Sequence, residues 1–245
     1  MGTARSWPAR LRRFALILIL GSLAASLLLV LPLRWLDPPT SAFMLRDRAE
    51  ALFGREQGYR FRHEWADLER ISPNASVAVV AAEDQKFASH LGFDLQAIDK
   101  AVRDSKRGRK LRGASTISQQ VAKNLYLWPG QSFVRKGLEA WFTLLIEAAW
   151  PKQRILEVYL NVAEFGRGTF GVEAASQRYF GRPASRLTRE QAALLAAVLP
   201  NPIRYRVDRP SRYVQKRQRW ILRQMSQLGG RGYVDTLDEP VDDGT

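Results

Sequence analysis

The pattern of apolar and polar positions predicts helices along nearly the whole chain. Apolar residues recur at three- and four-residue spacing, and few runs alternate every second residue. No segment is repeated elsewhere in the sequence. The sequence therefore predicts a mainly α-helical protein. Toward its end we expect a basic amphipathic helix over residues 213–228 and a poorly ordered segment from Gly229 onward.

The longest apolar run covers residues 14–33, twenty residues without a charged side chain. This length is enough to cross the hydrocarbon core of a bilayer. Four arginines precede the run and Arg34 follows it, which predicts a cytoplasmic N-terminus. A cleaved signal peptide is the alternative, but its apolar core normally has about 7–15 residues. We expect a single-pass anchor over 14–34, preceded by a cytoplasmic segment (1–13) and followed by a domain on the outer face (35–228) and a flexible tail (229–245).

The chain of 245 residues carries a formal net charge of +14. A strongly basic protein binds nucleic acid, an anionic membrane surface or a phosphorylated substrate. The predicted anchor favours membrane phospholipids or a lipid-borne phosphate, and we expect no nucleic acid. A basic stretch over residues 100–112 is either a solvated loop or a clamp for such phosphates. Cysteine is absent and there are two histidines, which excludes disulfides and thiol metal sites and argues against a His-rich metal site.

Two carboxylates, Glu83 and Asp84, follow abruptly after the apolar residues 77–82. Upstream, Ser72 followed by proline predicts a helix start, because serine caps free backbone amides and proline suits the first helical position. On this helix Glu83 shares a face with apolar side chains. Partial desolvation would raise its pKa and favour it as a proton acceptor near neutral pH. The alternative is an ordinary solvated residue at a helix end.

A second polar helix is predicted after Gly113. Thr116 with Gln119 three positions later makes a capping box, which marks a helix start. The side opposite the apolar stripe of this helix carries several hydrogen-bonding groups and one cation. Such a row suits an oxygen-rich ligand such as a sugar or a phosphate, although an ordinary polar helix face has the same pattern. Its members are Thr116, Gln119, Gln120, Lys123 and Asn124.

A third helix over residues 135–150 is apolar on nearly all sides, which is typical of a core helix. Glu139 interrupts it, with Arg135 four residues earlier. A carboxylate on a core helix is unfavourable unless it is paired. The pair is therefore either a structural salt bridge or a second acid in the same cleft as Glu83.

Together these segments resemble the peptidoglycan glycosyltransferases of family 51, in particular the monofunctional biosynthetic transglycosylases. The resemblance covers roughly residues 40–225. It rests on five motifs in order: Glu83-Asp84-x-x-Phe87-x-x-His90-x-Gly92-x-Asp94, Gly113-x-Ser115-Thr116-Ile117-x-Gln119-Gln120-x-x-Lys123-Asn124, Arg135-Lys136-x-x-Glu139-Ala140, Lys152-x-x-Ile155-Leu156-Glu157-x-Tyr159-Leu160-Asn161 with Phe165-Gly166-x-Gly168, and Ala192-Ala193-Leu194-Leu195-Ala196 with Pro200-Asn201-Pro202.

The resemblance implies a lysozyme-like helical head with a small membrane-associated jaw. It implies polymerisation of lipid II into β-1,4-linked glycan strands on the periplasmic face of a bacterial inner membrane, with inversion and release of polyprenyl diphosphate. Glu83 would be the general base, and Glu139 would lie near the donor diphosphate. Mg²⁺ or another divalent cation on Glu139, and protein partners from cell-wall synthesis or division, remain open. The remaining substrate-binding positions implied are Asp84, Phe87, His90, Ser115, Thr116, Gln119, Gln120, Lys123, Asn124, Arg135 and Lys136.

Two other readings keep the same fold. A scaffold protein could retain the fold without catalysis, although the intact Glu83 and Glu139 argue against it. A lysozyme-type hydrolase could also use one glutamate in a helical cleft, but the anchor and the cations Lys123 and Arg135 favour synthesis. The chain contains neither Ser-x-x-Lys nor Lys-Thr-Gly, so we expect no transpeptidase activity.

Overall fold

The computed structural model describes residues 7–54, 58–106, 115–130, 132–234 and 237. Within these ranges the chain forms ten α-helices and one small sheet, which confirms the predicted mainly α class. The elements are α1 (Trp7–Val30), α2 (Ala42–Phe53), β1 (Arg62–His63), α3 (Pro73–Glu83), α4 (Leu95–Lys106), α5 (Ile117–Tyr126), α6 (Phe133–Ala149), α7 (Lys152–Val162), β2 (Glu164–Gly166), β3 (Thr169–Phe170), α8 (Val172–Phe180), α9 (Arg189–Val198) and α10 (Arg212–Gln227).

The helix starts predicted from capping residues are confirmed. The hydroxyl of Ser72 accepts a hydrogen bond from the backbone amide of Asn74 at the start of α3. Complete capping boxes open two further helices, Thr116 with Gln119 at α5 and Thr188 with Gln191 at α9. These starts depend on hydrogen bonds within one turn, so the local sequence is sufficient to specify them.

Helix α3 lies at the centre of the core. It packs against α9 and α10 on one side, and it also contacts α7. Residues 75–81 of α3 are all buried, so the helix reaches the middle of the domain without a polar face. Helix α5 packs against α6 and α7 and is buried on most sides. The C-terminal end of α3, where Glu83 lies, is therefore held by packing from several directions.

The glycine-rich segment after α7, whose closely spaced glycines predict a tight loop, forms a β-hairpin. Strands β2 and β3 pair antiparallel, and β1 lies parallel to β3 on its other side. Gly171 ends the hairpin with φ +84°, and a Cβ there would lie 2.9 Å from the carbonyl oxygen of Asn161. The side-chain amide of Asn161 binds both backbone groups of Ala66, at 2.9 Å and 2.8 Å, and thereby fixes the connection from β1 to α3.

Residues Arg10–Arg34 form a helical segment that is long and apolar enough to cross a bilayer. The C-terminal part of this segment packs against α6. The indole Nε1 of Trp150 donates to the carbonyl oxygen of Val30 at 3.0 Å, and that of Trp141 donates to the hydroxyl of Ser26 at 3.1 Å. The contact with α6 continues the apolar surface of α1 onto exposed side chains of α6, namely Phe133, Val134, Trp141 and Leu144.

The connection after α1 is also fixed to the domain. The guanidinium of Arg154 on α7 donates to the carbonyl oxygens of Leu33 and Leu36, at 3.0 Å and 2.7 Å, and pairs with Asp37 at 3.0 Å. Arg34 donates to the backbone carbonyl of Ala149 at the end of α6. The membrane-proximal segment is therefore part of the folded domain.

Residues 229–234 and 237, the described part of the predicted tail (229–245), differ from the poorly ordered segment that we expected. Gly230–Val234 form a short 3₁₀ helix that packs against α3, and Leu237 is buried. The apolar side chains of this short segment explain the difference, because they have a surface of α3 to cover. The remaining tail residues, and most of the predicted basic stretch (107–112), lie outside the described residues.

Candidate active site

Glu83 is the last residue of α3, and its carboxylate is held from two sides. The amide Nε2 of Gln120 donates to Oε2 at 3.0 Å, and the guanidinium of Arg217 donates to Oε1 at 3.1 Å. Gln120 is itself oriented by the hydroxyl of Tyr159, which donates to Oε1 of Gln120 at 3.2 Å. The side chain of Glu83 is 13% exposed. One carboxylate is thus fixed in direction while part of it still faces solvent.

Burial raises the pKa of Glu83, and hydrogen bonding from Gln120 and the charges of Arg217 and Lys123 partly offset this rise. The apolar residues that precede Glu83 in α3 are themselves buried, and the partial desolvation of Glu83 agrees with the sequence pattern. A carboxylate with a raised pKa is a better proton acceptor than a solvated one. The geometry therefore suits general-base chemistry at this position.

Arg217 is a site residue that the sequence reasoning missed. It lies on α10, donates to the backbone carbonyl of Ala82 as well as to Glu83, and its Nε is buried without a hydrogen-bond partner. The sequence predicted a basic amphipathic helix here, but it gave no reason to choose Arg217 from the many cations of α10. Its packing against α3 brings Arg217 among them to the carboxylate.

A second charged cluster lies along α5 and α6. Arg135 donates to Oε2 of Glu139 at 2.8 Å, and Lys136 donates to the other carboxylate oxygen. Burial lowers the pKa of Lys123, and the nearby carboxylates of Glu139 and Glu83 partly offset this effect. The predicted cations therefore share one region with Glu139. The charges of both Glu139 and Glu83 act on Lys123.

The surroundings of Glu139 do not fit a metal ion. Both carboxylate oxygens are bound by cations, and the side chain is 4% exposed. Among the described residues there is no group of three or more His, Cys, Asp or Glu side chains that could hold a metal. Glu139 instead serves as the counter-charge that keeps Arg135 and Lys136 together.

Two clefts adjoin Glu83 and its partner Gln120. The first has a volume of about 220 Å³, and Glu83 lies in its wall. The second, of about 180 Å³, is bounded by Gln120 and the side chains beyond it. The first cleft is lined by Glu83, Asp84, Gln85, Lys86, Asp94, Ala97, Ser115 and Thr116. The second, which we call the Lys123 cleft, is lined by Phe43, Gln120, Lys123, Asn124, Tyr159, Val162, Ala163, Glu164, Phe170, Leu199, Pro200 and Pro202.

Asp84 and His90 form a buried hydrogen-bond network. The Nε2 of His90 lies 2.9 Å and 3.0 Å from the two carboxylate oxygens of Asp84, and the backbone amide of Ile117 donates to Asp84 at 3.0 Å. The amide of Gly92 donates to Nδ1 of His90, so the ring proton lies on Nε2. Asp84 thus joins the end of α3 to the first turn of α5. The positive end of the α5 dipole also stabilises a carboxylate at this position.

Other predicted positions are also engaged inside the protein. Phe87 is fully buried, and Thr116 and Gln119 are bound to each other in the capping box. Thr116 also donates to the carbonyl oxygen of Gly92 at 2.7 Å. The structure thus brings Ser115, Gln120, Lys123 and Asn124 to the clefts, whereas Phe87 and Gln119 support the elements that carry them.

Gly92 allows a close approach of the loop after α3 to α6. Its φ is +82°, and a Cβ there would lie 2.7 Å from Cγ2 of Thr143 and 2.9 Å from Cγ of Glu147. The ammonium of Lys152 binds both oxygens of Glu147 at 2.8 Å and the carbonyl oxygen of His90 at 2.6 Å. This buried network fixes the position of the Asp84 loop against the α6–α7 corner.

Comparison with known proteins assigns the family. The sequence profile of the family described as "Transglycosylase" matches residues 50–226. A protein of Xanthomonas campestris pv. campestris (strain B100) called "Biosynthetic peptidoglycan transglycosylase" is 59% identical over 86% of this chain and 86% of its own length. Proteins with the same name from Cronobacter sakazakii and Pseudomonas entomophila are each 56% identical, over 95% and 88% of this chain and 96% and 91% of their own lengths. These matches confirm the resemblance carried by the five motifs, and the chain belongs to the transglycosylase family.

Proposed function

We propose that this enzyme polymerises lipid II into β-1,4-linked glycan strands, with inversion at the anomeric carbon and release of polyprenyl diphosphate. The observation that carries the proposal is the position of Glu83, a largely buried carboxylate with a raised pKa in the wall of a cleft, bound to Gln120, which lines the neighbouring cleft. The names of the relatives from Xanthomonas, Cronobacter and Pseudomonas support peptidoglycan as the product.

In this mechanism Glu83 removes the proton from the 4-hydroxyl of the acceptor sugar as that oxygen attacks the anomeric carbon of the donor. The new bond forms on one face of the sugar while the bond to the diphosphate oxygen breaks on the other face. Gln120 and Arg217 orient Glu83, so its free surface points in one direction. General-base catalysis by a positioned group contributes roughly 10²–10⁴-fold.

The departing diphosphate takes the electron pair of the broken bond and needs positive charge. Lys123, Arg135 and Lys136 supply it from α5 and α6, and Glu139 holds the last two cations in place. Fixed cations that face a developing negative charge stabilise a transition state without reorganisation. We derive no catalytic step from a metal ion, because Glu139 is already bound to cations.

The anchor supports a reaction on a lipid-borne substrate at the membrane surface. We propose a single-pass arrangement with the N-terminus in the cytoplasm, the catalytic domain on the outer face of the inner membrane, and contacts to phospholipid headgroups. The arginines before the apolar span support this orientation. The substrates are lipid II and the growing strand. We propose that the protein has no transpeptidase activity and binds no nucleic acid. We also propose that its further partners are proteins of cell-wall synthesis or division.

The test is polymerisation of labelled lipid II by the full-length protein in detergent, with products separated by size. We expect long strands from the wild type and none from Glu83→Gln, because the amide cannot accept the proton. Glu190→Gln, which changes a glutamate on α9 outside the clefts, is the matched control and should remain active. Short fragments from finished glycan would support a hydrolase instead. Substantial polymerisation by Glu83→Gln would remove Glu83 from the base role.

A further inference from the structure

Glu164 is the one carboxylate among the described residues that line the Lys123 cleft, and none of the sequence motifs assigned it a role. It lies on β2 opposite Phe170 of β3, and both residues line the cleft together with Lys123 and Asn124. The Oε1 atom of Glu164 is buried and has no hydrogen-bond partner. A buried acceptor without a partner is unfavourable, and native proteins contain few of them.

Several charged groups surround Glu164. Arg167, whose charge lowers the pKa of Glu164, is bound to Asp47 at 2.6 Å, and Asp47 also accepts from Tyr59 at 2.6 Å. Burial raises the pKa of Glu164 to about 7, and Asp47 adds to the rise. The other charged groups that face Glu164 are Arg46 and Glu50 of α2, Arg167 of the hairpin turn, and Lys123 across the cleft.

The walls of the Lys123 cleft suit a saccharide. Apolar surfaces from Phe43, Phe170 and Pro200 alternate with the hydrogen-bonding groups of Asn124 and Tyr159. An N-acetylated sugar presents apolar C–H surfaces, hydroxyl donors and an amide N–H donor to such a surface.

We propose that Glu164 is a specificity-determining residue of the Lys123 cleft, where it accepts a hydrogen bond from a hydroxyl or acetamido N–H group of the substrate sugar. This inference rests on the proposed function, because it takes the substrate to be the N-acetylated sugar of lipid II or of the growing strand. It adds a contact on the side of the cleft opposite the cations of α5 and α6.

The proposal predicts a pH dependence of substrate binding with a defined sign. A sugar donor binds the ionised carboxylate more strongly than the protonated one, so binding should tighten as pH rises through about 7. Lys123 would give the opposite sign, because an ammonium that loses its proton with rising pH binds a diphosphate less well. The direction of the dependence therefore distinguishes these two groups.

The experiment measures KM, kcat and the equilibrium Kd for lipid II at pH 6 and pH 8 with the full-length protein in detergent. For the wild type we expect KM and Kd to fall about fivefold from pH 6 to pH 8, the difference between a neutral and a charge-assisted hydrogen bond. Glu164→Gln imitates the protonated carboxyl. At pH 6 and at pH 8, its KM and Kd should therefore stay near the values that the wild type has at pH 6.

Glu50→Gln is the matched control, since it removes a nearby carboxylate that is 45% exposed and lies outside the cleft. It should keep the pH dependence, with a midpoint at slightly lower pH because one negative charge near Glu164 is lost. A Glu164→Gln variant that retains the full wild-type dependence would overturn the proposal. If the wild type does not polymerise lipid II but its Kd depends on Glu164, only the proposed polymerase function is overturned. If the wild type neither polymerises lipid II nor shows a Kd that depends on Glu164, both the polymerase function and the role of Glu164 are overturned.

Discussion

The ion pair between Arg217 and Glu83 should set the pH at which the enzyme becomes active. Replacing Arg217 with glutamine removes a positive charge 3.1 Å from the carboxylate and leaves a neutral hydrogen-bond donor on a shorter side chain. Since the charge of Arg217 lowers the pKa of Glu83, its loss should raise that pKa further. A general base works in its ionised form, so the acidic limb of the kcat profile should move to higher pH.

The size of this shift can be worked out from the contact. Two unit charges about 4 Å apart interact by roughly 4 kcal/mol at an effective dielectric constant of about 20. The side chains of Arg217 and Glu83 are still 21% and 13% exposed, so water screens part of this energy. We take about half, ~2 kcal/mol, which would move the acidic limb of the activity profile by roughly 1.5 pH units.

The assay is the rate of lipid II polymerisation at saturating substrate between about pH 5 and pH 9, where the limb reports the pKa of the base in the complex. Arg219→Gln is the matched control, because it removes an exposed arginine from the same helix. Arg217→Lys should restore part of the wild-type profile. The reasoning fails if the limb of Arg217→Gln coincides with that of the wild type or moves to lower pH.

Two further substitutions test the elements that hold the site. Asp84→Ala should lower the free energy of unfolding by about 3 kcal/mol, because it leaves a buried imidazole and a backbone amide unpaired. The control Asp208→Ala removes an exposed carboxylate and should change the free energy of unfolding by less than about 1 kcal/mol. Chemical denaturation of both variants measures the difference. Gly92→Ala should destabilise by about 2–3 kcal/mol, since strain at positive φ adds to contact with α6. Gly181→Ala, also at positive φ but with open space around its Cβ, should show only about 1 kcal/mol, and equal losses in thermal unfolding would contradict the role of the close approach.

The local sequence predicted what local physics controls. The caps at Ser72, Thr116 and Thr188 satisfy backbone amides within one turn, so each helix start was visible in the sequence. The desolvation of Glu83 was also predictable, because the apolar residues before it lie on the same helix. The choice of Arg217 from the many cations of α10 was not, since it depends on how α10 packs against α3.

Positions that join distant segments were likewise out of reach of the sequence pattern. The hairpin that carries Glu164 has strands of three and two residues, too short to show a two-residue period. The surroundings of Glu164 include the ion pair of Arg167 with Asp47, which lies 120 residues earlier in the chain. Such assignments need the tertiary structure, because they follow from which partner each charged group has already taken.

The hydrogen-bonded junction between α1 and α6 holds the apolar helix in one orientation relative to the catalytic domain. Hydrogen bonds from Trp150 to Val30 and from Arg154 to Leu33 and Leu36 leave little freedom for the catalytic domain to tilt or swivel over the lipid surface. In the membrane arrangement that we propose, the protein itself then sets the height of Glu83 above the bilayer. A lipid-linked sugar that diffuses within the membrane would meet the cleft at a constant depth and angle.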